Sequence, residues 1–326
     1  MSDITYSVII PTLNEQNSIR QCIDSLLSAA PDNDPCKLEI IIIDGLSTDN
    51  TRNIATEYIN KTSVVRLVDN PNQSTPAGFN IGFDEATNEI IVLMSGHARV
   101  ASNFFDALNS LFTSPKLNAD VIGPRALPIG NGYVQTGIAG ALASRLGAAS
   151  SRFESVDGYV DTVAYGAYRR EVIEEVGKMD LSLVRGQDYE YNQRVCKTGY
   201  NIYQTSDTYV SYYPRDNLRS LFEQKFGNGK ARAQIYHNDH PSALLTQISK
   251  HSPLSILLVG VLALISPLIM ILSVTLCLYS LVIVAVSCEV IGREDWLTYK
   301  HLPSIFVALV TIHAAFAIGF LFDIVM

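Results

Sequence analysis

The chain has 326 residues, 48% of them hydrophobic, with 24 basic against 32 acidic side chains and a formal net charge of -8. That balance excludes a protein that tracks nucleic-acid phosphates, which needs a basic face. Cys22, Cys36, Cys196, Cys277 and Cys288 are odd in number and scattered without a C-x-x-C pair, so neither a disulfide framework nor a structural zinc site is expected. The length accommodates one α/β domain of about 200 residues and a smaller second part.

Met1 to Tyr6 carries no basic cluster and leads into an apolar stretch too short for a secretory core, which predicts that the first part stays in the cytosol. Ser7 to Ile10 and Leu38 to Ile43 are short β-branched runs of the kind buried in parallel strands. Each ends in a polar loop and is followed by a helical pattern, Asn17 to Ala29 and Asp49 to Ile59. Val64 to Val68 and Glu89 to Met94 read as two further strands, with Ala77 to Ala86 as the helix between them. This alternation predicts an α/β fold, a mostly parallel sheet flanked by helices with right-handed crossovers, and it places ligands beyond the carboxyl ends of the strands.

The two loops on that edge read Pro11-Thr12-Leu13-Asn14-Glu15 and Asp44-Gly45-Leu46-Ser47-Thr48-Asp49-Asn50-Thr51. Asp44 stands where it could accept hydrogen bonds from a base or ribose, and Ser47, Thr48 and Asp49 offer caps for the next helix. Neither a G-x-x-x-x-G-K-[ST] nor a G-x-G-x-x-G pattern occurs, which weighs against P-loop and dinucleotide readings.

From residue 254 the chain changes character. Leu254 to Val286 contains no charged residue, with Pro267 near its middle, so it is either a kinked span or a tight helical hairpin. Leu302 to Phe322 is a second run of spanning length, interrupted only by His313. Between them, Glu289 to His301 sets Arg293, Glu294, Asp295 and Lys300 beside Trp296 and Tyr299, the make-up of an interfacial segment. Ala243 to Ile248 could lie flat at the headgroups. The expected division is an α/β domain over 1–246 and an interfacial segment with two or three transmembrane helices over 247–326, integral to the cytoplasmic membrane with the first domain on its cytosolic face.

Three spaced segments, S-V-I-I-P-T-L-N-E, I-I-I-D-G-L-S-T-D-N-T and D-N-P-x-x-x-x-P-A-G-F-N-x-G from Asp69 to Gly82, resemble in order those of the inverting glycosyltransferases of family two, whose fold is of type A. The resemblance implies that Pro11, Thr12, Glu15, Asp44 and Asn80 line a nucleotide-sugar site. It also leads one to expect a D-x-D after the fourth strand, but the sequence there is Met94-Ser95-Gly96-His97-Ala98-Arg99. Ser95 takes the place of the first aspartate among the donor contacts, and His97 that of the metal ligand. Succinoglycan-type exopolysaccharide glucosyltransferases are similar at this point. A divalent cation, Mn or Mg, is implied, and imidazole favours Mn; direct contact of His97 and Arg99 with phosphate, or a simple turn cap, are the alternatives.

Arg185 to Arg194 resembles the family's E-D motif at a helix start, making Asp188 the implied catalytic base. Inverting transfer needs one such carboxylate to take the acceptor proton, whereas the leaving diphosphate needs positive charge. Glu190 and Arg194 read as an ordinary i, i+4 pair. Phe222 to Arg232 is similar to a Q-x-x-x-G-x-G-x-x-R segment, in which Gln224, Lys230 and Arg232 would meet acceptor or phosphate, or simply flank the membrane on its positive side. Gly137 to Phe153, rich in small residues, suits close packing or an acceptor-side lid. The implied reaction is inverting transfer of a sugar, from a UDP-sugar above all, to a polyprenyl-linked saccharide in exopolysaccharide or surface-glycan synthesis. The rivals are a polyprenyl-phosphate sugar synthase, which a base at Asp188 argues against because a phosphate nucleophile needs none, and a non-enzymatic membrane scaffold.

Overall fold

The structure, a computed structural model, describes residues 4–147, 151–183, 185–239 and 269–325. The chain divides into two compact units, Met1–Leu127 with Ser150–Tyr212, and Pro128–Ala149 with Tyr213–Met326. The second unit thus includes a segment, Pro128–Ala149, that lies in sequence between the two stretches of the first.

The first unit is built on a nine-stranded sheet. Its strands are β1 (Tyr6–Thr12), β2 (Leu38–Asp44), β3 (Val65–Asp69), β4 (Ile90–Leu93), β5 (Arg99–Val100), β6 (Val121–Pro128), β7 (Gly158–Val160), β8 (Ala167–Arg169) and β9 (Ile202–Tyr212). They run in the order β3-β2-β1-β4-β8-β6-β9-β5, with β7 paired to β9. The first four strands pair in parallel, as their alternation with helices predicts. Beyond β4 the pairings of β8 with β4 and β6, and of β9 with β5 and β7, are antiparallel, so the sheet is mixed.

Alternate residues of the buried strands feed two opposite layers. Val8, Ile10, Ile40, Ile42, Ile90 and Val92 face one layer, where they meet α1 (Ile19–Ser28), α2 (Thr51–Ile59) and α4 (Phe104–Phe112). Ile9, Ile41, Ile43, Ile91 and Leu93 face the other, against α3 (Thr75–Glu85), α6 (Arg170–Val176) and α7 (Gln187–Lys197). This accounts for the unbroken isoleucine run in β2, which is buried on both faces.

The glycines of the P-A-G-F-N-x-G segment serve this packing. A Cβ on Gly82 would stand 2.1 Å from Cγ2 of Ile9, and one on Gly78 would stand 2.9 Å from Cβ of Pro11. One turn apart on α3, they let the helix lie directly on β1 at the end that carries the ligand loops.

In the second unit α5 (Tyr133–Ala143), α8 (Leu218–Asp239), α9 (Ile269–Arg293) and α10 (Leu302–Val325) pack together. Gly137 and Gly140 of α5 face Ser304 and Ile305 of α10, so these small residues serve close packing. Gly229 of α8 does likewise, lying against the Phe316 carbonyl of α10, while Gly319 of α10 lies against the Phe226 carbonyl. Among the described residues two helical stretches, Val274–Arg293 and Tyr299–Phe322, are long and apolar enough to cross a membrane. On α9 the exposed side chains include Val274, Leu276, Leu278 and Leu281. His313 is tied in by the Tyr279 hydroxyl at Nδ1, 2.7 Å, and by the Leu146 carbonyl at Nε2, 2.8 Å. Residues 254–268 of the first apolar run, and Ala243 to Ile248, lie outside the described residues.

Candidate active site

Strand order reverses at β1, with β2 on one side and β4 on the other, so the crevice at their carboxyl ends is a ready-made ligand site. Pro11 helps to open it. The pairing of β1 with β4 stops at Ile9 and Leu93, so proline's missing N–H sacrifices no hydrogen bond on that side. Thr12 and Asp44 are register partners at the crevice, continued by Asp69 on β3.

The loops after β1 and β2 are laced into one body. Asn14 N–H donates to Ser47 Oγ at 2.9 Å, Thr48 N–H to Asn14 Oδ1 at 2.9 Å, Glu15 N–H to Thr51 Oγ1 at 2.8 Å and Gln16 N–H to Asp49 Oδ2 at 3.1 Å. Asn14 and Leu46 both adopt the left-handed conformation. Asparagine accepts it readily, whereas leucine there carries a steric cost.

Asp44 is fully buried. Its Oδ1 accepts from the Ser47 hydroxyl at 2.6 Å and its Oδ2 from Ser47 N–H at 2.9 Å and Arg52 Nη1 at 2.8 Å. The same guanidinium reaches Asp69 at 2.7 Å, and these two carboxylates push its pKa up. Arg52 therefore joins the ends of β2 and β3. Nothing in its local sequence announced that role, since Asp69 is a neighbour only through the sheet.

Across the crevice, Ser95, Gly96 and His97 follow β4. Ser95 is half-buried, and its carbonyl accepts from Ala98 N–H at 3.0 Å. His97 is exposed, with Nδ1 2.9 Å from Glu15 Oε1. The other Glu15 oxygen accepts from the Ser18 hydroxyl at 2.5 Å. Burial pushes the Glu15 carboxyl up, but the hydrogen bonds from His97 and Ser18 prevail and hold it below its ordinary value. Arg99 is engaged by the Gln21 side-chain oxygen.

Asn80, expected to line the donor site, is buried, and both ends of its carboxamide are bound by Met179. Its Oδ1 accepts from Met179 N–H at 2.7 Å and its Nδ2 donates to the Met179 carbonyl at 2.9 Å. Arg194 grips the same turn through the carbonyls of Val176 and Lys178, both at 2.9 Å, and pairs with Glu190 as expected of i, i+4 charges. The Tyr191 hydroxyl adds a bond to the Gly177 carbonyl at 3.1 Å. Asp188 lies just past this clamped turn, in the first turn of α7. Gly186 precedes the helix at φ 76, a left-handed conformation natural to glycine. The Asp188 carboxylate is part-exposed and lies 3.0 Å from Arg152 Nη1.

Gln224, Lys230 and Arg232 lie on α8 of the second unit, with Lys230 Nζ set 5.1 Å from the centroid of the Phe322 ring. Among the described residues no three His, Cys, Asp or Glu side chains converge as a metal site. At this turn His97 is the side chain whose chemistry would suit a divalent cation. The hydrogen-bonded Nδ1 fits that use, because metal-bound histidines characteristically give their second nitrogen to a carboxylate.

A switch-point crevice with paired polar loops over a mixed sheet places the ligand edge of this α/β fold at the carboxyl ends of β1, β2 and β4. The model of the glycosyl transferase family 2 matches residues 7–177, just over half of the chain, and the protein belongs to that family. It is 30% identical over 235 residues to the succinoglycan biosynthesis protein ExoA of Rhizobium meliloti (strain 1021), covering 70% of this chain and 69% of that one. It is 26% identical over 237 residues to the dolichyl N-acetyl-alpha-D-glucosaminyl phosphate 3-beta-D-2,3-diacetamido-2,3-dideoxy-beta-D-glucuronosyltransferase of Methanococcus voltae, covering 69% and 72%. Among solved structures, the mannosyltransferase PcManGT from Pyrobaculum calidifontis in complex with GDP-Man and Mn2+ is similar in fold, with a TM-score of 0.58, 15% identity and coverage of 95% and 86%. S. aureus TarS 1-349 in complex with UDP-GlcNAc aligns with a TM-score of 0.54, 15% identity and coverage of 97% and 90%. The chain is a glycosyltransferase.

Proposed function

We propose that the protein transfers a sugar, with inversion, from a nucleoside diphosphate sugar, UDP-linked in the first instance, to a lipid-linked saccharide during exopolysaccharide or surface-glycan synthesis. The observation that carries this reading is the joining of the loops after β1 and β2 into one rigid edge facing the Ser95-Gly96-His97 turn at the switch point. The lipid-linked acceptor draws support from the dolichyl-linked saccharide in the name of the Methanococcus relative and from the two spanning-length helices.

Asp188 acts as the base. It removes the proton from the acceptor hydroxyl while that oxygen attacks the anomeric carbon, and the bond to the diphosphate breaks on the opposite face. Arg152 holds the carboxylate in place before the acceptor arrives. Pro11, Thr12, Asp44 and Ser95 shape the donor crevice. Asn80 contributes by fixing the turn ahead of α7 rather than by touching the donor. His97 would hold a divalent cation, which when bound supplies positive charge to the departing diphosphate. Gln224, Lys230 and Arg232 serve acceptor or lipid phosphate, with the catalytic unit on the cytosolic membrane face.

The test is incubation of the full chain with a panel of nucleotide sugars and lipid-linked acceptors, followed by product analysis. Sugar on a saccharide hydroxyl supports the reading; sugar on a bare polyprenyl phosphate would replace it with a polyprenyl-phosphate sugar synthase, and no turnover with any pair would favour a scaffold.

A further inference from the structure

Glu15 stands among the expected donor contacts, yet its side chain is occupied within the protein. One carboxylate oxygen meets His97 Nδ1 at 2.9 Å, and the other accepts from Ser18 at 2.5 Å. Its backbone N–H is fixed by Thr51 Oγ1 at 2.8 Å, and that hydroxyl in turn donates to Asp49 at 2.5 Å. The opposite turn is shaped to match. A Cβ on Gly96 would meet Thr12 Cγ2 at 2.9 Å and Glu15 Cγ at 3.1 Å, so any larger residue there would push the turn, and His97 with it, away from the glutamate.

An ionised carboxylate only accepts hydrogen bonds, so the proton shared by this pair belongs on Nδ1 of the imidazole. In a neutral ring, Nε2 is then left with its lone pair. We propose that Glu15 is a positioning residue for His97, locking the Nδ1–H tautomer and turning Nε2 outward as the atom that takes a divalent cation. The proposal rests on the reading of His97 as the cation contact and extends it to the residue behind. It gives Glu15 a task in donor binding that needs no contact with the donor. A carboxylate behind the ring also makes the imidazole a more basic ligand, which strengthens its preference for Mn2+ over Mg2+.

The test uses the full chain in lipid nanodiscs with 15N-labelled histidine, at about two pH units above the ordinary imidazole value, with His97 signals assigned through His97→Ala. The wild type should show the Nδ1–H tautomer at His97, and Glu15→Ala a mixture or the Nε2–H form. An Nε2–H or doubly protonated ring in the wild type overturns the proposal, and this readout involves neither metal nor nucleotide. In a second arm, Mn2+ is titrated by electron paramagnetic resonance in the presence of UDP. Glu15→Ala should weaken Mn2+ binding by about 10- to 100-fold, and Glu15→Gln, which keeps an acceptor oxygen without its charge, by less. Wild-type affinity in Glu15→Ala overturns the positioning role. A wild type that takes up no Mn2+ overturns the cation reading itself, leaving the tautomer result to stand separately.

Discussion

Arg152 Nη1 lies 3.0 Å from Oδ2 of Asp188, an ion pair between residues 36 apart in sequence. If Asp188 is the base, replacing it by asparagine keeps its size and its bond to Arg152 Nη1 through an amide oxygen while abolishing proton uptake. Asp188→Asn is expected to lower kcat by about 10²-fold or more, with donor affinity within a few-fold of wild type. Steady-state kinetics with a donor titration decide it; an equal loss in donor binding would move Asp188 out of the role of base.

Asn80 and Met179 make two hydrogen bonds inside a buried turn, so Asn80→Ala leaves a backbone N–H and a carbonyl without partners. The expected cost is about 2 to 4 kcal/mol, read as a lower midpoint in denaturant unfolding. Asn80→Asp keeps the acceptor for Met179 N–H but sets a second carboxylate oxygen against the Met179 carbonyl, so it should be no more stable than Asn80→Ala at neutral pH. A variant of unchanged stability with a strongly raised donor KM would instead restore direct donor contact.

The same stretch marks how far the sequence could be read. The first four strands and their helices were legible because β-branched runs and helical spacing alternate there. Gly78 and Gly82 were legible only as part of a resemblance, and their physical reason, a helix lying on Ile9 and Pro11, needs the packed structure. The antiparallel half was not legible: β5, β7 and β8 are only two or three residues long, β6 is interrupted by Gly123 and Pro124, and β9 is mostly polar from Gln204 to Thr208. In the candidate site the edge loops were found from strand ends, while Arg52, Arg152 and the grip of Asn80 on Met179 were not. Their partners are 8 to 99 residues away and meet only through the fold.

Gly82 offers a direct test of that packing. Gly82→Ala places a methyl against Ile9 and is expected to destabilise by about 1 to 3 kcal/mol despite alanine's better helix propensity. Ile9→Ala removes the obstacle at the cost of a cavity, and the double variant should be more stable than the sum of the two single losses. Simple additivity in a double-mutant cycle would mean the two residues do not meet.

Glu39 predicts part of the acid limb of stability. Burial pushes its carboxyl up, but hydrogen bonds from the Ser7 hydroxyl and the Thr87 N–H, with the Arg66 guanidinium, prevail and lower it. A carboxyl with a depressed folded pKa stabilises above its unfolded value, about 4.3, and that contribution is lost as pH falls through the folded value. Glu39→Gln should therefore lower stability at neutral pH and flatten the acid limb. Unfolding midpoints measured from neutral pH down to about pH 3 give the comparison, and parallel curves would exclude Glu39 from the effect.

The last prediction concerns the helices of spanning length. Within the second unit α10 is the surface on which α5 and α8 pack, with glycines at both seams: Gly137 and Gly140 of α5, and Gly229 of α8 against Gly319's own turn. A chain ended near Thr246 would keep α5 and α8 but lose the helix that covers them. It should still contain every proposed donor residue, so UDP binding is expected to survive in detergent, while the uncovered faces should make the protein aggregate without it. Transfer to membrane-embedded polyprenyl acceptors should fall far more than transfer to a short soluble analogue, because the lost segment would also confine the enzyme where the acceptor is. The decisive comparison is with Gly319→Leu in the full chain. That substitution keeps both helices but places a side chain where Phe226 already stands, so it should loosen α8 from α10 while leaving both stretches of spanning length in place. If the truncated chain and Gly319→Leu lose membrane-acceptor transfer alike, the glycine seam is what the reaction requires; if only truncation does, anchoring is.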